Sequence, residues 1–457
     1  MAVPIGQRSS QDPSAAGAGP VCDRGGALVS RRLRSTPSRS NAALSRRLGL
    51  LRYLISGGYG QGNAGDEAIL AGMLQEIRRR DLQAAFTILS FDPADTERRH
   101  GVEGDLATLP TSLRSPARLR IAMRSADLLI SGGGSFLHEA DFELHGRSFL
   151  FRDSKLRPVP YFLSIVLMAR AANLYVMWYA QGLGPLHTRA ARRMVAAAGS
   201  ASQVVTWRDP DSARLAYEVG VRAPIQLVVP DPAYALAPAP QRDAAALLTG
   251  LGIAPGTRYV TVCPRPWLGR TAFLANLGGA LEKVSSLADL EVLFVPFHEL
   301  QDLAVCEALA ARPGFAGRAH VLPPEQSPAV LAAVLGGSQV AVTMRLHGGI
   351  LAATAGSPAV VIDYDPKTTA FAASTGQSAW TVSVDHLENG GVRSDAAETS
   401  LVHAILDTLR HLDHRRAALR RAVTPFREDA RRTARLAVQL AASGSRPRSD
   451  TGKVARV

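Results

Sequence analysis

RYLISGGYGQGNAGDEAILAGMLQEIRRR, Arg52 to Arg80, reads as strand, turn and helix in one unbroken stretch. RYLIS is short and almost wholly apolar, as strands covered on both faces are. AILAGMLQEIRRR carries its apolar residues at helical spacing. Between them Gly60, Gly62 and Gly65 match the G-x-G-x-x-G spacing of a dinucleotide-binding turn. Asp66 and Glu67 argue against that ligand. They stand at the positive end of the helix dipole, where a bound pyrophosphate would otherwise supply the negative charge. Asn63, Asp66 and Glu67 are good partners for sugar hydroxyls instead, although an acidic helix cap accounts for the same residues. No GK[ST] follows, so the loop is not a P-loop.

The same unit recurs on either side. AAFTILSF, ADLLISGGGS, NLYVMWYAQGLGPL, QVVTWRD and IQLVVPD read as strands separated by helical segments. The alternation predicts a parallel sheet covered by helices. ALAPAPQR, 235–242, reads as a linker. A second series follows: TRYVTVCPRPW, LEVLFVPFH, HVLPP, QVAVTMRLHGG and PAVVIDY, with helices between them, one expected at 349–356. The expected architecture is α/β, two Rossmann-like domains facing a cleft. It divides into a basic tail at 1–48, an N-terminal domain at 50–236, a C-terminal domain at 243–440 and a second tail at 441–457. The two tails hold most of the net charge of +13 and are expected to be disordered. Three cysteines without a C-x-x-C spacing argue against a disulfide framework or zinc site and fit a reducing cytoplasm. The longest apolar run, Tyr161 to Tyr179, is broken by Arg170 and Asn173 and does not reach a membrane span.

Ligands of such sheets sit at the carboxyl ends of the strands, and the polar motifs fall there. SGGGSFLHE offers Ser135, His138 and Glu139. MRLHGG offers Arg345 and His347 just before a helix, and YDPK offers Lys367. CPRPW adds Arg265. TWRDPDS adds Arg208, for which an ion pair with Asp209 or Asp211 is the structural alternative. Arginine suits carboxylates and phosphates, and histidine suits proton transfer near neutrality. One half thus offers groups for hydroxyls and the other cations for a small anion.

GYGQGNAGDEAIL, SGGGSFLHE, AQGLGPL, WRDPDS, MRLHGGILAATAGSP and YDPK, in that order, resemble the polysaccharide pyruvyl transferases, most nearly the CsaB type of bacterial cell-wall enzymes. The likeness runs from about residue 52 to 385. It implies a GT-B-like fold and transfer of a pyruvyl group from phosphoenolpyruvate to a sugar, giving a pyruvate ketal and phosphate. For the CsaB type the sugar is an N-acetylmannosamine unit of a lipid-linked precursor of the secondary cell wall polymer, which serves S-layer anchoring. Carried over by motif, Arg345, His347 and Lys367 are catalytic. Arg208, Arg265, Arg345 and Lys367 bind the donor, and Asn63, Asp66, Glu67 and Ser135 the acceptor. No metal and no cofactor are expected, phosphoenolpyruvate being a substrate. A cytoplasmic place, with peripheral contact to the inner membrane leaflet and no nucleic acid partner, goes with this reading. The alternative is a GT-B glycosyltransferase that uses a nucleotide sugar, told apart by its donor. A sugar-binding protein without catalysis would be a third.

Overall fold

A computed structural model describes residues 50–101, 106–110, 116–139, 151–152, 155–389 and 394–444. The tail 1–48 and residues 445–457 lie outside these.

The first half supplies strands β1 (Arg52–Ser56), β2 (Ala85–Ser90), β3 (Leu106–Pro110) and β4 (Leu128–Leu137). After the short antiparallel pair β5 (Phe151–Arg152) and β6 (Lys155–Leu156) come β7 (Tyr175–Leu183), β8 (Val204–Trp207) and β9 (Ile225–Val228). Apart from that pair these strands form one parallel sheet in the order β3-β2-β1-β4-β7-β8-β9. The second half supplies β10 (Tyr259–Cys263), β11 (Glu291–Phe294), β12 (Ala319–Val321), β13 (Ala341–Thr343), β14 (Ala359–Asp363) and β15 (Thr381–Ser383). They too are parallel, in the order β12-β11-β10-β13-β14-β15. Both sheets change winding direction beside their first strand, between β1 and β4 and between β10 and β13. At such switch points the loops diverge and leave a crevice for a ligand.

The apolar strands do what their composition dictates. β10 is buried at every residue, and β1 at all but its first. The apolar stretch from Tyr161 to Tyr179 divides into the helix Pro158–Ala171 and the start of β7. Among the described residues no helix is long and apolar enough to cross a membrane.

Two findings depart from the sequence reading. The helix expected at 349–356 is Leu346–Ala355 with Arg345 at its N-cap, so His347 belongs to its first turn. The last helix, Leu412–Gly444, continues past 440 into the stretch taken as tail. Its far end does not stay with the second sheet. Ala434, Ala437 and Ala441 pack among Tyr53, Met73, Ile77 and Ile130 of the first half. The helix Ala64–Arg78 also crosses over, placing Ala64 and Ala68 in a core with Ala233, Val295, Phe297 and Ile350. These small side chains let the halves approach closely around the crevices.

Candidate functional site

Asn63 caps the helix Ala64–Arg78, its Oδ1 accepting from the Gly65 amide at 3.0 Å. Its Nδ2 donates to Asp66 Oδ2 at 2.8 Å, which aims that carboxylate into the crevice between the exits of β1 and β4. Glycine is needed on both sides of it. A Cβ at Gly58 or Gly134 would lie 3.2 or 3.1 Å from an Asp66 oxygen, and Gly134 has φ +112°. The carboxylate keeps an opening to the cleft yet is surrounded by protein. Burial pushes its pKa up to about 6, with Glu67 and Asp231 adding to the rise and His347 and Arg208 opposing it.

Opposite stands Asp231, three residues beyond β9. Its Oδ1 accepts from the Ala233 amide at 2.9 Å. Its Oδ2 lies 3.2 Å from Arg208 Nη1 and 3.2 Å from His347 Nε2. Burial alone would raise this carboxyl. The charge and hydrogen bond of His347 outweigh it, aided by Arg208 and the Ala233 amide, and hold the pKa down at about 2. Arg208, nearly buried, also donates to the Ser135 hydroxyl. The other imidazole nitrogen of His347, Nδ1, lies over the Gly65 backbone, where an added Cβ would come within 2.4 Å of it.

A cavity of about 640 Å³ opens from this cluster, bounded by Ser135, Arg208, Asp231 and Lys367 on its polar side. Tyr234 and Phe371 belong to its apolar wall. Lys367 enters from the first turn of the helix Pro366–Ser374, capped by Asp365. Burial and the neighbouring Arg208 lower the pKa of its ammonium group. The arrangement combines two cations, an imidazole held by a carboxylate, and a second carboxylate able to carry a proton near neutrality.

Of the expected residues, Ser135, Arg208 and Lys367 line the cavity, and His347, bonded to the lining residue Asp231, stands beside it with Asp66 and Asn63. The structure corrects three other expectations. Glu67 is fully buried beside Asp66, accepting from the Gly60 amide at 2.8 Å and facing His100 Nε2 at 2.6 Å, so it is closed to a sugar inside the fold. Arg345 turns away from the cavity to the buried Asp302, with Nε at 2.9 Å and a second contact through Nη2. Arg265 lies against the Trp267 and Tyr364 rings and donates to the Tyr364 hydroxyl at 2.9 Å. Neither arginine lines the cavity. Glu139 accepts from the His187 and Thr188 amides and so holds a turn.

The alternative for Arg208 is excluded locally. Asp209 caps its helix through the Ser212 amide at 2.7 Å, and Asp211 pairs with Arg214 at 2.8 Å. Asp231 is the residue that sequence reasoning missed. Its signal was the V-P-D exit of IQLVVPD, an acidic residue at a strand end like those singled out elsewhere. Among the described residues no group of three or more His, Cys, Asp or Glu side chains could hold a metal ion.

Residues 63–366 match the family model described as polysaccharide pyruvyl transferase. No curated protein matches this sequence. Among solved structures, the UDP-GlcNAc 2-epimerase of Methanocaldococcus jannaschii superposes with a TM-score of 0.56 at 9% identity, over 85% of this chain and 99% of that one. The Neisseria meningitidis UDP-GlcNAc 2-epimerase bound to UDP-GlcNAc gives 0.53 at 10% identity, over 86% and 99%. Anabaena HepE in complex with UDP and glucose gives 0.51 at 13% identity, over 86% and 100%. These likenesses establish the fold as GT-B-like.

Proposed function

The chain belongs to the polysaccharide pyruvyl transferase family, and from that premise we propose that it moves the carboxyethylidene group of phosphoenolpyruvate onto two hydroxyls of one sugar. The ketal forms as phosphate leaves. One observation carries the reading: Arg208, Asp231 and Lys367 line a single cavity, and Asp231 joins Arg208 to His347, which stands behind that wall with Asp66 close by. A donor with one phosphate and one carboxylate needs two cations, and a vinyl group that becomes a methyl group needs a proton.

Arg208 and Lys367 bind the donor's anionic groups. His347 gives a proton to the methylene carbon while a sugar hydroxyl attacks the adjacent carbon, and Asp66 accepts that hydroxyl's proton. The second hydroxyl displaces phosphate, whose departing oxygen takes the remaining proton. Asp66 then releases the first hydroxyl's proton to solvent, which balances the proton that His347 draws for the methyl group, and the second hydroxyl's proton leaves on phosphate. Cations aimed at the departing phosphate stabilise the charge that develops there. Asn63 and Ser135 orient the sugar. Arg345 acts indirectly, by tying the exit of β13 to Asp302.

The acceptor we propose is N-acetylmannosamine in a lipid-linked precursor of a secondary cell wall polymer, as in the CsaB type, used at the cytoplasmic face of the membrane. The test is incubation with phosphoenolpyruvate and an N-acetylmannosaminyl acceptor, following phosphate release and acceptor mass, beside His347→Ala. A pyruvyl mass gain lost in the variant is expected. No product, with thermal stabilisation by UDP-sugars instead of phosphoenolpyruvate, would overturn the reading in favour of a nucleotide-sugar glycosyltransferase.

A further inference from the structure

Asp231 joins two groups of different duty, and its geometry decides which nitrogen of His347 can work. Its Oδ2 meets His347 Nε2, so the neutral ring carries its proton there and presents Nδ1 unprotonated. Nδ1 lies close over the Gly65 backbone, where a Cβ would come within 2.4 Å of it and push the ring out of place. The same Oδ2 meets Arg208, whose other arm reaches Ser135 at the cavity wall.

We propose that Asp231 is the positioning residue that makes Nδ1 the proton-carrying nitrogen and couples donor binding at Arg208 to protonation of His347. The inference rests on the transferase reading above. In the empty site Asp231 divides its charge between Arg208 and His347. An arriving phosphate or carboxylate engages Arg208, and Asp231 then bears undivided on the imidazole. The ring takes up one proton from solvent at Nδ1, and the acid is charged only when the donor is there to receive its proton. The other charges facing the ring leave this balance in place. Asp66 approaches from the helix Ala64–Arg78, Lys367 lies beyond Arg208, and Arg345 on the ring's own helix is committed to Asp302.

The test is calorimetry of phosphoenolpyruvate binding to the full chain at pH 7.5 in two buffers of different ionisation enthalpy, for wild type and Asp231→Asn. Wild type is expected to take up a fraction of a proton, and Asp231→Asn none. In turnover the variant should lose about a hundredfold or more in kcat, with the acceptor KM nearly unchanged and the acidic arm of the pH profile displaced. Gly65→Ala should bind the donor and fail to turn over, and both variants are checked for an intact melting transition. Asp231→Asn with wild-type kcat, or a wild type that makes product without proton uptake, overturns the coupling and leaves the transferase standing. A wild type that does not bind phosphoenolpyruvate overturns both.

Discussion

Asp66 is ionised at neutral pH at a cost to the fold, and Asp66→Asn should release that cost. Its carboxyl rises from 3.8 to about 6 on folding. At about 1.36 kcal/mol per unit the ceiling is ~3 kcal/mol. The attraction to His347 and Arg208 is already contained in that shift, and the opening to the cleft reduces the figure to about 1–2 kcal/mol. Because the folded pKa is raised, the native state is favoured while the group keeps its proton. That contribution is complete below about pH 4 and is lost as pH rises through 6. The variant's advantage should therefore be small near pH 4.5 and grow to about 2 °C in melting temperature at pH 7.5, for a chain of this size. Turnover should fall by about a hundredfold with the group that accepts the hydroxyl proton removed. Thermal melts of both proteins from pH 4.5 to 8 provide the assay. A variant less stable than wild type at pH 7.5, or a gap that does not vary with pH, would refute the argument.

Other substitutions separate structure from chemistry. Glu67→Ala should cost about 3 kcal/mol in urea denaturation, since it leaves His100 and the Gly60 amide buried without their shared carboxylate. Lys367→Met should leave stability almost unchanged, raise the phosphoenolpyruvate KM at least about tenfold and abolish thermal stabilisation by that donor. Gly72→Ala should act at a distance. The new Cβ would lie 2.3 Å from the Pro232 carbonyl oxygen, and relief of that clash displaces the segment carrying Asp231. A loss of about tenfold in kcat/KM with about 1–3 kcal/mol of destabilisation is expected.

Much of the fold was legible because parallel strands buried on both faces must be nearly continuous apolar runs, and their glycine exits mark where each ends. The site was legible only in part, for reasons of angle and distance. Asp66 and Glu67 are neighbours in sequence, but successive helical residues point about 100° apart. One therefore faces the crevice and the other the core. The same divergence separates Arg345, at the extended N-cap, from His347 in the first turn. Asp231 acquires its role from a histidine 116 residues later in the chain, brought opposite by packing between the halves. No local pattern records that meeting.

The last helix carries a consequence for how the chain comes to be folded during synthesis. Tyr53, Met73, Ile77 and Ile130 are among the earliest core residues made, but Ala434, Ala437 and Ala441 complete their cover. From Val229, the last first-half strand-exit residue in that cluster, 212 residues must still be added before Ala441 exists. At about 5–20 residues per second the nascent first sheet waits roughly 10–40 s with one face only partly covered, by the helix Ala64–Arg78. Over that interval its apolar surface is open to chaperones and to other nascent chains. A gene divided at the linker would make the exposure permanent, because the first half would never receive its closing helix.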